Sequence, residues 1–229
     1  MTTHADHDQA PYDEAQTRAQ VSAVAGILAP SGKQTPRVLD LGCGRGRIGG
    51  PLARLGMELV GVDSDAVHRE PYEAVVGERG RFEVGDLAGP HPPIDGGYDA
   101  VVLLGNVVMT IRDPAELRRV FAAVVEVLGP EGTVVMDDFA EGGWEEIASG
   151  RWADGIDDSG TMQMVWLSGN PEFVVRSDAD VDPDRTTPGA DERVLRLWSR
   201  RELDDAAGFA GLGPARHDPD GLVVVHARS

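Results

Sequence analysis

A chain of 229 residues is long enough for a single α/β domain with its own core. Hydrophobic residues make up 41% and charged residues 26% of it, with no apolar run near the about 20 residues that a membrane-spanning helix needs. A net charge of -18 argues against a nucleic-acid partner, and a single cysteine excludes an intramolecular disulfide and a cysteine-rich zinc site.

The opening stretch, Met1 to Asp8, is polar and acidic, unlike a signal or transit peptide, so the cytoplasm is the expected location. Glu14 to Leu28 places Val21, Val24, Ile27 and Leu28 at helical spacing, and Pro30-Ser31-Gly32 ends that helix. Arg37 to Leu41 reads as a first strand, followed by a glycine turn and a helix from Ile48 to Leu55. A second strand over Glu58 to Asp63 and a short helix from Ala66 to Val76 come next. Arg81 to Val84 is a third strand and Tyr98 to Leu104 a fourth. Asp113 caps a helix that starts on Pro114 and runs to Leu128. Gly129 to Gly132 is a turn before a fifth strand, Thr133 to Asp137.

The stretch after Gly142 departs from this alternation. Met162 to Leu167 and Glu172 to Arg176 read as a hairpin joined by Ser168-Gly169-Asn170-Pro171, with Arg193 to Trp198 as a third strand. Asp178 to Asp191, rich in aspartate and interrupted by proline and glycine, is expected to be a mobile acidic loop. Ser199 with Glu202 forms a capping box for a helix to Gly208. Leu222 to Ala227 is the last strand, paired with one near Leu212 to Arg216. The expected fold is α/β: a doubly wound, mostly parallel, seven-stranded sheet with helices on both faces and a small antiparallel lid insertion. Its parts are a core over residues 1–141, a lid over 142–198 and a return to the sheet over 199–229.

Asp40-Leu41-Gly42-Cys43-Gly44-Arg45-Gly46 lies between a strand and a helix, where glycines let backbone amides approach a ligand. Gly44 to Gly49 also satisfies the dinucleotide pattern G-x-G-x-x-G, with Asp63 about 20 residues on as a ribose-binding acid. Asp40 separates the two readings. Its carboxylate would repel a pyrophosphate, whereas S-adenosylmethionine carries no phosphate and presents an ammonium that Asp40 can hold directly or through water.

These residues resemble those of the class I, Rossmann-like S-adenosylmethionine-dependent methyltransferases over Val38 to Asp138, with a weaker echo from Arg193 onward. Asp40, Gly42, Cys43, Gly44 and Gly46 match the first motif of that family. The resemblance implies that Asp63, followed by Ser64, binds the ribose hydroxyls. It also implies that Asp86 and Leu87 take the adenine, and that Gly105 and Asn106 hold the methionyl end and face the acceptor. Each acid has a plainer reading as a turn or cap residue, but all stand after successive strands, where open α/β sheets bind ligands.

The implied function is methyl transfer from S-adenosyl-L-methionine to a small-molecule acceptor at oxygen, nitrogen or carbon, in specialised metabolism, with S-adenosyl-L-homocysteine as product. Two alternatives stand beside it: a non-methylating reaction on the same cofactor and fold, and an NAD-dependent oxidoreductase. Trp144, Trp152, Met164 and Trp166, with Met162 and Phe173, can line an apolar acceptor site or form the lid's own core. A general base is optional for methyl transfer, and the candidates are Asp137, Asp138, His68 and His226, the last also readable as a core residue. No metal, nucleic acid or membrane partner is expected, and the chain is read as a monomer or homodimer.

Overall fold

The computed structural model describes residues 12–87, 95–137, 155–157, 159–167, 171–217 and 223–228. Helix α1 (Glu14–Leu28) precedes strand β1 (Arg37–Leu41), helix α2 (Gly49–Arg54), strand β2 (Glu58–Asp63), helix α3 (Arg69–Val76) and strand β3 (Gly80–Val84). Strand β4 (Tyr98–Leu103), helices α4 (Val107–Thr110) and α5 (Pro114–Val127) and strand β5 (Leu128–Asp137) complete the first half. Strands β6 (Met162–Trp166), β7 (Glu172–Ser177) and β8 (Leu195–Arg196) come next, then helix α6 (Arg200–Phe209) and strands β9 (Arg216–His217) and β10 (Val223–Ala227).

Seven strands form one sheet in the order β3-β2-β1-β4-β5-β10-β9. The first five are parallel, and β10 runs antiparallel to both β5 and β9. The expected doubly wound sheet is therefore present. Its parallel strands are apolar on both sides because helices cover both faces. Val38, Leu59, Ala100, Val102 and Val135 pack with Val21 and Val24 of α1, Leu52 of α2 and Tyr72 and Val76 of α3. The alternate positions, Leu39, Leu41, Val101, Leu103 and Val134, pack with Leu117, Val120, Phe121 and Val124 of α5 and with Ala206 and Ala207 of α6. The two-residue period of the strands thus divides one sequence between two cores.

Caps set the helix ends. Asp13 and Gln16 make a capping box on α1, Asp113 accepts from the Ala115 amide ahead of α5, and Ser199 and Glu202 cap α6 as expected. Gly61 carries no side chain for a packing reason: a Cβ there would stand 2.4 Å from the Tyr72 ring and 2.7 Å from Cys43 Sγ.

Three expectations are corrected. Gly129 to Gly132 is not a turn outside the sheet but a bulged part of β5. Tyr98 pairs with Leu128 and Ala100 with Thr133, so the chain absorbs the extra residues as a register shift. The third lid strand shrinks to Leu195–Arg196, paired with Glu172 and Phe173.

The acidic segment expected to be mobile is tied down by Arg176, which is 3% exposed. Its guanidinium donates to Glu192 Oε1 at 2.6 Å and Oε2 at 3.1 Å, to Thr187 O at 2.9 Å and Gln163 Oε1 at 3.1 Å, and also to Arg185 O. A planar cation with five donors can organise a loop that is poor in apolar residues.

The separate sheet β6-β7-β8 is antiparallel throughout. It is moored to the core beside α4: Phe173 and Leu197 pack on Met109, Arg112 pairs with Glu172 at 2.8 Å, and the Trp198 indole donates to Val108 O and Ile111 O, each at 3.1 Å. Among the described residues no helix is long and apolar enough to cross a membrane.

Candidate active site

The segments that leave β1, β2, β3 and β4 at their carboxyl ends enclose a cavity of about 570 Å³. That volume suits a small-molecule site, and the position is where open parallel sheets bind ligands. Asp40, Gly42, Cys43 and Gly44 from β1 and the turn after it, Asp63 and Ser64 at β2, Asp86 and Leu87 after β3, and Gly105 after β4 all lie in its wall.

The turn is fastened to its neighbouring strand. Gly42 adopts φ 70°, and the Gly42 and Cys43 amides both donate to Val62 O, at 2.8 and 3.1 Å. A Cβ on Gly42 would stand 2.5 Å from Val107, so only glycine fits between the turn and α4. Asp63 accepts from the Gly44 amide through Oδ2 and from the Asp65 amide through Oδ1, both at 3.0 Å. Each carboxylate oxygen keeps further lone-pair capacity for a ligand hydroxyl.

Asp40 is 2% exposed, and its Oδ2 has no hydrogen-bond partner. Burial pushes its pKa up to about 7, with Asp63 adding to the rise and Arg47 and the Gly49 amide opposing it. The Tyr72 hydroxyl beside it is also unpartnered. Both oxygens approach the point that a Cβ on Gly49 would occupy, Tyr72 Oη to 2.9 Å and Asp40 Oδ2 to 3.2 Å. A buried carboxylate oxygen without a donor is costly, and such groups cluster where a ligand or ordered water completes the site. Cys43 belongs to the core cluster under the turn. Burial, reinforced by Asp40 and Asp63, pushes its thiol far above the ordinary range, which suits packing and not nucleophilic attack.

Two expected cofactor residues fall outside this wall. Gly46 faces α3, where a Cβ would meet Val75 at 2.5 Å, so its role is close packing. Asn106 has φ 61° and begins α4, with its side chain accepting from the Tyr12 hydroxyl at 2.9 Å.

Of the candidate bases, Asp137 has its lone pairs engaged by donors. It takes the Gly105 and Asn106 amides on Oδ2, each at 2.8 Å, and Gln20 Nε2 on Oδ1 at 2.6 Å, with Tyr12 as a further partner. It fixes the turn after β4 and is a positioning group. His226, 1% exposed, bonds Gly213 O through Nδ1 at 2.9 Å and turns Nε2 towards Asp204, away from the large cavity, so it is a core histidine. His68 does reach the cavity, beside Ser64 and Asp65.

Met164 and Trp166 pack against the lid's own apolar cluster with Phe173 and do not line the large cavity. Trp144, Trp152 and Asp138 lie outside the described residues. Among the described residues no group of three or more His, Cys, Asp or Glu is placed to hold a metal.

Several wall residues carried no clear sequence signal. Arg47, Thr110, Ile111 and Arg193 join the cavity from α2's approach, from the end of α4 and from the segment before β8. Arg47 directly follows the glycine turn ahead of α2, and Arg193 follows the acidic segment that Arg176 pins.

Comparison with known proteins agrees with this geometry. Residues 38–132 match a methyltransferase domain family. A Bacillus subtilis protein named as a methyltransferase, YqeM, is 28% identical over 131 residues, which is 55% of this chain and 51% of that protein. A ubiquinone biosynthesis O-methyltransferase from a Caulobacter species is 33% identical over 107 residues, covering 44% of this chain and 39% of that one. The chain therefore spans about half or less of the length of these curated relatives. An amino pentose methyltransferase of Micromonospora echinaspora, solved with S-adenosylmethionine, shares the fold at TM-score 0.64 and 18% identity over 93% of this chain and 92% of its own. Residues 38–132 are thus similar to a methyltransferase domain, and the chain shares its fold with solved S-adenosylmethionine-dependent methyltransferases.

Proposed function

We propose that the protein transfers a methyl group from S-adenosylmethionine to a small-molecule acceptor beneath the three-stranded lid. The observation that carries this reading is the meeting of Asp40, Asp63 and Asp86, each from the tip of a different parallel strand, in one cavity. Adjacent strands lie about 4.8 Å apart, so the tips of β3 and β4 are separated by about 14 Å, the span of an extended adenosyl amino acid.

The residues fit such a cofactor. Asp86 and Leu87 at β3 take the adenine, and Asp63 at β2 takes the ribose hydroxyls. Asp40 at β1, whose Oδ2 lacks a donor, faces the amino group, and the Gly105 turn at β4 bounds the methionyl end. When bound, S-adenosylmethionine supplies a sulfonium-activated methyl group. The remaining work of the chain is to align the acceptor and exclude water. Asp137 keeps the Gly105–Asn106 turn rigid, and the mooring of the lid through Trp198, Arg112 and Met109 sets its height above α4.

Similarity to an amino pentose methyltransferase and to a ubiquinone biosynthesis O-methyltransferase supports a small molecule here, as does an acidic net charge unsuited to nucleic acid. The test combines ligand-induced thermal stabilisation with product detection. S-adenosylhomocysteine should raise Tm while NADH does not, and turnover of an acceptor panel should release S-adenosylhomocysteine. Stabilisation by NADH alone, or turnover that consumes S-adenosylmethionine without forming S-adenosylhomocysteine, refutes the proposal.

A further inference from the structure

Arg47 enters the site from between the glycine turn and α2. Its Nη1 is engaged by α1, donating to Gln20 Oε1 at 2.8 Å and Thr17 Oγ1 at 3.2 Å. Its guanidinium lies 4.4 Å over the Tyr12 ring, whose hydroxyl bonds Asn106. These contacts hold one side of the planar cation. The other side is left over: Nη2 is buried and has no hydrogen-bond partner. It sits above Gly105, where a Cβ would stand 3.4 Å from it, and both residues line the large cavity.

A buried guanidinium nitrogen without an acceptor is expensive unless something supplies one. Asp137 and Asp40 influence Arg47 through space, yet neither accepts a bond from Nη2. The carboxylate of Asp137 is already taken by Gln20 and by the Gly105 and Asn106 amides. An anionic group of a bound ligand would supply the missing acceptor. The same wall carries Asp40, a negative group on the neighbouring strand tip. A positive donor and a negative acceptor placed side by side match a zwitterion, the amino-acid end of the cofactor.

Resting on the cofactor reading above, we propose that Arg47 binds the α-carboxylate of the methionyl moiety through Nη2, and that Thr17, Gln20 and Tyr12 hold it in position for that contact. A purely structural role, tying α1 to the core, predicts that loss of Arg47 weakens all ligands alike or none. A carboxylate contact predicts selectivity.

The test measures calorimetric affinity of the full chain for S-adenosylhomocysteine and for 5′-methylthioadenosine, the adenosyl thioether without the amino-acid tail. Arg47→Met should weaken S-adenosylhomocysteine about 10- to 100-fold, the range of a lost charge-assisted hydrogen bond, and leave 5′-methylthioadenosine within threefold. Arg47→Lys, which keeps the charge and the stem, should fall between wild type and Arg47→Met for the first ligand. It also serves as the readout should Arg47→Met fail to fold. Equal losses for the two ligands, or unchanged S-adenosylhomocysteine affinity in either variant, overturn the role of Arg47. Absence of S-adenosylhomocysteine binding by the wild-type chain overturns the cofactor reading itself.

Discussion

Replacing Arg176 with methionine should release the acidic segment between β7 and β8 while leaving the seven-stranded core intact. The side chain is 2% exposed and bridges Glu192, 21% exposed, with both carboxylate oxygens engaged. It also serves Gln163 Oε1 and the carbonyls of Arg185 and Thr187. Methionine fills a similar volume but offers no donor. Glu192 keeps the Gly189 amide and Arg185, and the freed carbonyls can turn to water, so most of the cost is the charged pair. A bidentate pair contributes about 1.5–3 kcal/mol and the neutral bonds roughly 1 kcal/mol each before water compensates, giving a local loss of about 3–5 kcal/mol.

Native-state hydrogen exchange reads this directly. The Asp182, Arg185 and Gly189 amides, now bonded to Gln163, Asp182 and Glu192, should exchange at least about a hundredfold faster, while β1 and β4 amides keep their protection. The same clamp predicts acid behaviour. Arg176 holds the Glu192 pKa down at about 2 from 4.5, so its stabilisation is complete above 4.5 and is lost as pH falls towards 2. Exchange in this segment that is unchanged by Arg176→Met refutes the clamp.

Asp40 predicts a pH dependence of ligand binding. Its carboxyl, pushed from 3.8 up to about 7 in the free protein, binds a proton on folding, so the stability it contributes is lost as pH rises from about 4 to 7. An ammonium ligand needs the carboxylate. S-adenosylhomocysteine affinity should therefore climb nearly tenfold per pH unit below about 6 and level off above 8, with proton release visible by calorimetry in two buffers; a flat profile sinks the idea. Asp63→Asn should weaken S-adenosylhomocysteine at least about tenfold, because one ribose acceptor and the anchor of the Gly44 or Asp65 amide are lost together. Wild-type affinity in that variant removes Asp63 from the site. The Cys43 thiol, buried and with its pKa raised far above the ordinary value, should ignore a disulfide reagent until the protein unfolds. Rapid labelling of the native chain contradicts its placement under the turn.

The strand tips were legible because two signals coincide there. The apolar runs of β1, β2 and β3 stop at or beside an acid, and the family resemblance joined with the rule that parallel sheets bind ligands at that edge pointed to Asp40, Asp63 and Asp86. Both faces of the core follow from the same alternation, and the α5 and α6 caps follow from Asp113 and from Ser199 with Glu202.

What sequence reading missed is held by contacts across long separations. Tyr12 reaches Asn106 across 94 residues and Gln20 reaches Asp137 across 117, and neither partner has a local pattern. That network takes Asp137 out of the list of bases and puts Arg47 into the wall. Arg176 is equally silent in sequence, an arginine on an alternating strand whose five donors happen to face inward, so an aspartate-rich segment that composition reads as mobile is fastened.

Glycines mark where backbone must turn or pass close, and acids at strand ends mark where a ligand can be gripped. A buried arginine announces itself only through the groups it leaves unsatisfied. Arg47 lies directly after the glycine turn, yet its part in the site rests on one orphaned nitrogen facing the cavity.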